Sequence, residues 1–289
     1  MVCFVILHYM ALDETVQCVE SILNNIEGEK KVIVVDNCSP NGTLADLRAR
    51  YEKVTDVDVI GTDSNLGFAG GNNFGYQYAV SRYDPDFAVV MNNDMEITQR
   101  DFIAQMVKSY SEYGFAVMGP DIYSTKKKYH QNPQTRKMPT RKDLESSCRK
   151  LEIKNALRFM IPLKWQIMEL MHRQPAPEKR AENYVDHVVE DPLLHGSCYI
   201  FSRDYMKKHA EECFFPGTFM YLEAEILCYQ CRRDGEKMIY DPRLRVDHHE
   251  DVATDLEYHK QSKKSIFTIK CMLQSTKAFL ALMDRDGNS

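Results

Sequence analysis

Val32-Ile33-Val34-Val35-Asp36-Asn37 and Phe87-Ala88-Val89-Val90-Met91-Asn92-Asn93-Asp94 are the stretches that decide the fold. Each is an unbroken apolar run that stops abruptly at polar residues and a carboxylate. A run of that length without alternation reads as a strand buried on both faces, as in parallel sheets. The C-terminal ends of such strands form the rim where open α/β sheets bind ligands. Asp36 and Asp94 are therefore expected to converge on one crevice. Between them lies Asn65-Leu66-Gly67-Phe68-Ala69-Gly70-Gly71-Asn72-Asn73. It reads as a loop opening a helix, whose small residues let the backbone approach a phosphate or sugar closely. Two strand-end acids with such a loop between them suit a nucleotide diphosphate and a hard cation.

Working outward, strands are expected at Val2–Tyr9, Lys31–Val35, Val57–Thr62, Phe87–Met91 and Phe115–Met118. Helices are expected at Asp13–Asn24 (Asp13 as N-cap), Leu44–Tyr51, Asn73–Ser81 and Asp101–Tyr113. This βα alternation argues for a parallel sheet covered by helices. The pattern breaks after Asp121. Two basic helical pieces follow, Lys142–Met160 and Leu163–His172, and then a strand over His195–Phe201. Thr218–Arg232 reads as a loop running into a helix, and Lys237–Tyr240 and Leu244–Val246 as strands. The last thirty residues read as an amphipathic helix.

The chain has 289 residues, net charge −5, and is 44% hydrophobic and 27% charged, which excludes disorder and fits a sizeable core. Residues 126–180 hold fifteen Lys/Arg against five Asp/Glu, so the rest of the chain is strongly acidic. Such asymmetry points to a basic surface facing phosphates, anionic lipid or a charged polymer. Three readings of the segment stand: a helical appendage, a membrane-resting surface, or an acceptor-binding lid. The nine cysteines are scattered. Cys228 and Cys231 have no second pair to complete a zinc site, so buried reduced thiols and a cytoplasmic setting are expected. No leader peptide and no apolar run of membrane-spanning length is read.

Asp94, followed by Glu96, is the leading metal ligand. Mg²⁺ and Mn²⁺ share oxygen ligands between one or two carboxylates and substrate phosphates. Asn92 could orient that site or touch a ribose, and Asp36 a base or ribose. His248 could add a nitrogen ligand; the adjacent His249 leaves either residue open to being a packed or surface histidine. Glu223 and Glu225 follow an aromatic-rich loop, and a partly desolvated carboxylate there could deprotonate a hydroxyl. The alternative is that both merely favour the N-terminus of a helix. The glycine spacing is not that of a dinucleotide binder, which disfavours a dehydrogenase. A nucleotidyltransferase would want a glycine-rich basic loop where Met10-Ala11-Leu12 stands.

These residues resemble the family 2 glycosyltransferases of the GT-A fold, nearest to bacterial rhamnosyltransferase-like members. The matching positions are His8-Tyr9, Val34–Asn37, Asn65–Asn73, Asn92-Asn93-Asp94, Gly196–Ile200 and His248. The resemblance implies an α/β fold with a Rossmann-like nucleotide-binding half and a mixed, mostly parallel sheet. Its expected parts are a nucleotide-sugar half (1–120), a basic helical insertion (121–192), an acceptor half (193–255) and a C-terminal amphipathic helix (256–289). It implies an inverting transferase using Mn²⁺ or Mg²⁺ held by Asp94 and His248. The donor would be a nucleotide diphosphate sugar, with L-rhamnose from a dTDP donor as first choice and UDP-hexoses next. Its donor-binding positions would be His8, Tyr9, Asp36, Asn65, Gly70, Gly71, Asn72, Asn73, Asn92 and Asn93. The acceptor would be a cell-surface glycan or a lipid-linked precursor, reached from the inner face of the plasma membrane, with no nucleic-acid partner. Oligomeric state is left open. Family members carry Glu-Asp or Glu-Glu-Asp where this chain has Glu223-Ala224-Glu225. The base is therefore expected at Glu225, supported by Glu223; with Ala224 at the base position the chain would instead be an impaired enzyme or a sugar-nucleotide binder.

Overall fold

The computed structural model describes residues 1–170, 184–250 and 261–287. The chain opens with β1 (Val2–His8), α1 (Leu12–Asn25), β2 (Lys30–Asp36), α2 (Thr43–Tyr51), β3 (Val57–Gly61), α3 (Gly67–Tyr83) and β4 (Phe87–Asn92). Next come β5 (Met95–Glu96), α4 (Phe102–Tyr113), β6 (Val117–Ser124), β7 (Tyr129–His130), α5 (Arg141–Ala156) and α6 (Ile161–Leu170). The last are β8 (Val189–Glu190), β9 (Cys198–Ser202), α7 (Arg203–Lys208), α8 (Glu223–Asp234), β10 (Met238–His248) and α9 (Gln261–Gly287).

The strands form one sheet in the order β3-β2-β1-β4-β9-β6-β10-β5, with β7 beside β6 and β8 beside β10. The first four are parallel; β9 runs antiparallel between β4 and β6, and β10 is parallel to β6. The sheet is thus mixed and mostly parallel, as the sequence led us to expect. Alternation along buried strands sends successive side chains to opposite faces. Phe4, Ile6, Val32 and Val34 join α1 and α4 residues such as Ile22 and Phe102 in one core. Cys3, Val5, Ile33 and Val35 join Tyr76 of α3 and Leu227 of α8 in the other.

The glycine-rich segment differs from the expected loop: Gly67–Asn73 forms the first turns of α3. The reason is packing. A Cβ on Gly75 would sit 2.5 Å from Val5 Cγ1 and clash with Val35, and one on Gly71 would lie 2.5 Å from Leu7 Cδ1. Small residues let α3 lie directly on β1 and β2. Asp13 sits inside the first turn of α1 rather than capping it. The expected break after Asp121 comes later, because β6 continues to Ser124. The two late strand fragments are one strand, β10, irregular between Asp241 and Arg245.

In the insertion, Thr140 caps α5: its hydroxyl accepts from Asp143 N (3.2 Å) and its own N donates to Asp143 (2.9 Å). α5 and α6 lie along α9, with Leu144, Ile226, Phe279 and Leu282 in a small third core. Residues 171–172 of the second expected helix lie outside the described residues, as do 173–180 of the basic segment. The expectation of no membrane-length apolar run is corrected by α9. Ser262–Gly287 is long and apolar enough to cross a membrane by length and composition, with mean hydropathy 1.2 in its most apolar window, 28% of it buried. Lys270 and Lys277 divide that window, which is why it reads as amphipathic. All nine cysteines are free, and Cys228 and Cys231 are buried.

Candidate active site

β1, β2 and β4 end together, with His8 paired to Asp36 and Leu7 to Asn92 in parallel register. Asp36, 1% exposed, accepts from Ser39 N at 3.1 Å through Oδ2, while its buried Oδ1 lies 3.5 Å from His8 Nε2. His8 lies beneath it, wholly buried, between Thr15 Oγ1 (2.6 Å) and Thr43 Oγ1 (2.8 Å). Burial lowers the His8 pKa against the opposing pull of Asp36, so the ring is neutral. Asn93 donates to Thr15 Oγ1 at 2.9 Å. Asn65 Oδ1 accepts from Gly67 N (2.9 Å) and Asn37 Nδ2 (3.1 Å), tying the start of α3 to the β2 tip. Asn72 bonds Phe68 O, and Asn73 holds the backbone of Cys213 and Phe214. His8, Gly71 and Asn72, expected as donor contacts, are buried in the support of the rim. Tyr9 and Gly70 are half-buried, Asn65 is exposed, and Asn92 lines the large cleft.

Asp94 and His248 are 154 positions apart in sequence. β5 pairs antiparallel with β10, aligning Met95 with His248, and His249 N donates to Asp94 O at 2.9 Å. His248 Nε2 lies 3.3 Å from Asp94 Oδ1, a buried oxygen with no hydrogen-bond partner among the described residues. On the far side of the ring, His248 Nδ1 lies 2.6 Å from Gln131 Oε1. Gln131 Oε1 only accepts, so Nδ1 carries a proton, and in the neutral ring Nε2 is then a lone pair. With the ring neutral, two acceptors face one another there, an arrangement that a divalent cation would fit. His249 is elsewhere, between Thr125 (3.0 Å) and Glu96 (3.0 Å). A second cluster, His209, Asp234 and Glu236, has its acids matched by Lys208 and Arg233.

A cleft of about 1050 Å³ opens beside this pair, lined by Asn92, Gln131, Arg136, His195, Glu223 and Glu225 among others. Tyr221 (φ 77°) and Leu222 (φ 69°) are consecutive left-handed non-glycine residues that turn the chain into α8. Strain of this kind costs on the order of 1–3 kcal/mol per residue and concentrates at functional sites. It aims Glu223, 7% exposed, with a buried Oε1 that has no hydrogen-bond partner among the described residues. Burial raises the Glu223 pKa to about 7, with the Glu225 charge adding to it and hydrogen bonds opposing it. Glu225 is also buried, but Arg136 from the insertion meets it at 2.5 Å. Ala224 packs in the α3/α8 core.

Against known proteins, residues 3–178 match the model of glycosyl transferase family 2, well over half of the chain. The chain belongs to that family. Among curated relatives, the low-salt glycan biosynthesis hexosyltransferase Agl10 of Haloferax volcanii is 24% identical over 75% of this chain and 58% of its own length. The teichuronic acid biosynthesis glycosyltransferase TuaG of Bacillus subtilis, itself assigned as putative, is 28% identical over 39% of this chain and 46% of its own. The chain thus spans about half the length of these relatives. Among solved structures, S. aureus TarS residues 1–349 share the fold at TM-score 0.51 and 13% identity, covering 86% of this chain and 60% of that one. GalNAc-T7, solved with UDP, GalNAc and Mn²⁺, does so at TM-score 0.55 and 12% identity, covering 87% and 44%.

In this family 2 chain, sequence reasoning missed Thr15, Asn37, Gln131 and Arg136 as site-building residues. Only Asn37, inside a quoted motif, carried a signal. Gln131 and Arg136 sit in the segment read by its charge alone.

The buried Glu223 carboxyl has a stability consequence. A carboxyl whose folded pKa is raised from 4.5 to about 7 binds its proton more tightly when folded. Its contribution is fully present below pH 4.5 and is lost as pH rises through about 7, a change of roughly 3 kcal/mol. Glu223→Gln should flatten this slope and gain stability at pH 8 relative to pH 5, measured by urea unfolding. An unchanged pH slope in the variant would contradict the buried environment.

Proposed function

We propose that this chain transfers a sugar from a nucleotide diphosphate donor to a hydroxyl group of a glycan or lipid-linked saccharide, with inversion. The observation that carries the reading is the Asp94–His248 pair beside a cleft that also holds Glu223, one of whose oxygens is free among the described residues. Asp94 Oδ1 and His248 Nε2 would hold Mn²⁺ or Mg²⁺, whose charge offsets the negative charge that grows on a departing diphosphate. Asp36, at the β2 tip, would accept from a nucleoside N–H or hydroxyl. The acceptor hydroxyl attacks the anomeric carbon on the face opposite the diphosphate, and its proton passes to a Glu223 oxygen. Glu223 replaces Glu225 as the favoured base, because Glu225 is engaged with Arg136 while Glu223 has a free oxygen. TarS has been solved with UDP-GlcNAc, which makes UDP-hexoses direct competitors of the dTDP-rhamnose suggested by the sequence resemblance.

Donor cleavage in the presence of acceptor tests this reading. Asp94→Ala should abolish nucleotide release with an unchanged circular dichroism spectrum. Glu223→Gln should lower turnover by about a hundredfold or more while donor still binds. Turnover of the parent should rise with pH through about 7 as Glu223 loses its proton. Full activity in either variant would remove the proposed role.

The insertion supports a membrane-side acceptor. Ile153, Leu157, Phe159, Met160 and Leu163 are exposed, Phe159 by 73%, amid exposed Arg149, Lys150, Lys154 and Arg158. Exposed apolar side chains ringed by cations complement an anionic lipid surface. The protein should float with anionic vesicles and not with neutral ones, and Phe159→Ser with Leu163→Ser should weaken this. Equal recovery with neutral vesicles, or none at low salt, would argue against the surface.

A further inference from the structure

Gln131 lies outside the residues that the function above requires, yet it connects the metal pair to the insertion. It follows β7, is 6% exposed and reaches across to the end of β10. Its Oε1 lies 2.6 Å from His248 Nδ1, and its Nε2 donates to Glu250 Oε1 at 2.6 Å. Glu250, 4% exposed, is met by Lys127 Nζ at 2.6 Å from its Oε2. Tyr129 OH lies 3.2 Å from the same Gln131 nitrogen.

We propose that Gln131 is a positioning residue that fixes His248 as the Nδ1–H tautomer, and that the Lys127–Glu250 ion pair fixes Gln131. This rests on the proposed cation site at Asp94 and His248. A carboxylate paired with lysine accepts hydrogen bonds and donates none. The Gln131 atom facing Glu250 must therefore be the NH₂ group. Flipping the amide would set two acceptors against each other in a buried site. With the NH₂ group committed, only Oε1 is left for His248, so Nδ1 must be the protonated nitrogen. The lone pair is then on Nε2, on the side of Asp94. One exposed lysine thereby settles, through two buried side chains, which nitrogen of His248 is free to bind a cation. Outer partners of metal-binding histidines act in this way, and losing one typically weakens binding about 10–100-fold.

The tests use the full chain without donor. ¹⁵N-histidine NMR of the metal-free protein should show His248, identified by the signal lost in His248→Gln, as a single Nδ1–H tautomer. Gln131→Met removes both hydrogen bonds at similar volume; it should mix the tautomers and weaken Mn²⁺ binding, measured by calorimetry, about tenfold or more. Glu250→Gln keeps Gln131 in place but lets the facing amide donate. It should also populate the Nε2–H form, which provides the same test if Gln131→Met does not fold. An unchanged tautomer and Mn²⁺ affinity within threefold of the parent in these variants would overturn the positioning role. Unchanged Mn²⁺ binding in Asp94→Ala would instead overturn the cation site on which the proposal rests.

Discussion

The site depends on a two-residue strand. β5, Met95–Glu96, pairs with the end of β10 and sets Asp94 against His248 across 154 positions of sequence. Neither residue makes a site alone. Just past β4, the carboxylate has a buried oxygen with no hydrogen-bond partner among the described residues, and the imidazole turns Nε2 toward it. Like-polarity acceptors in contact are unfavourable in a buried setting unless something positive joins them. The fold holds them there by backbone pairing, and the proposed cation would resolve the conflict.

The two buried glutamates show how neighbouring residues of one type come to differ. Both sit in the first turn of α8 and both are withdrawn from water. Glu225 has a guanidinium supplied by the insertion; Glu223 has a free oxygen and a strained turn behind it. Environment rather than residue type separates their roles, as it does wherever two carboxylates are tuned apart. Ala224 between them belongs to the apolar core, so its lack of a carboxyl leaves the cleft with a candidate base.

Much of the fold was legible in the sequence because unbroken apolar strands and alternating helices obey local rules. Val32–Asp36 and Phe87–Asn92 fall where their composition places them, and the rim acids follow from strand polarity. What could not be read is tertiary. Gly67–Asn73 was legible as close-approach backbone, but whether it approached a ligand or a sheet depended on Val5, Leu7 and Val35 lying beneath it. His8 reads as a donor contact through the family resemblance of His8-Tyr9, whereas two threonines from α1 and α2 enclose it. Gln131 was hidden in a segment whose charge dominated its reading, and Arg136 was counted there as one cation among fifteen. Nothing local distinguishes His248 from His249; only the register of β10 against β5 does.

The cation site is the centre on which these assignments turn, and Mn²⁺ reports directly on the atoms around it. Electron spin-echo spectroscopy of Mn²⁺ bound to the full chain should show coupling to one histidine ¹⁴N, abolished in His248→Gln and retained in His249→Gln. Bound Mn²⁺ with no nitrogen coupling, or coupling that survives in His248→Gln, would contradict the convergence of β4, β5 and β10 on one metal ion.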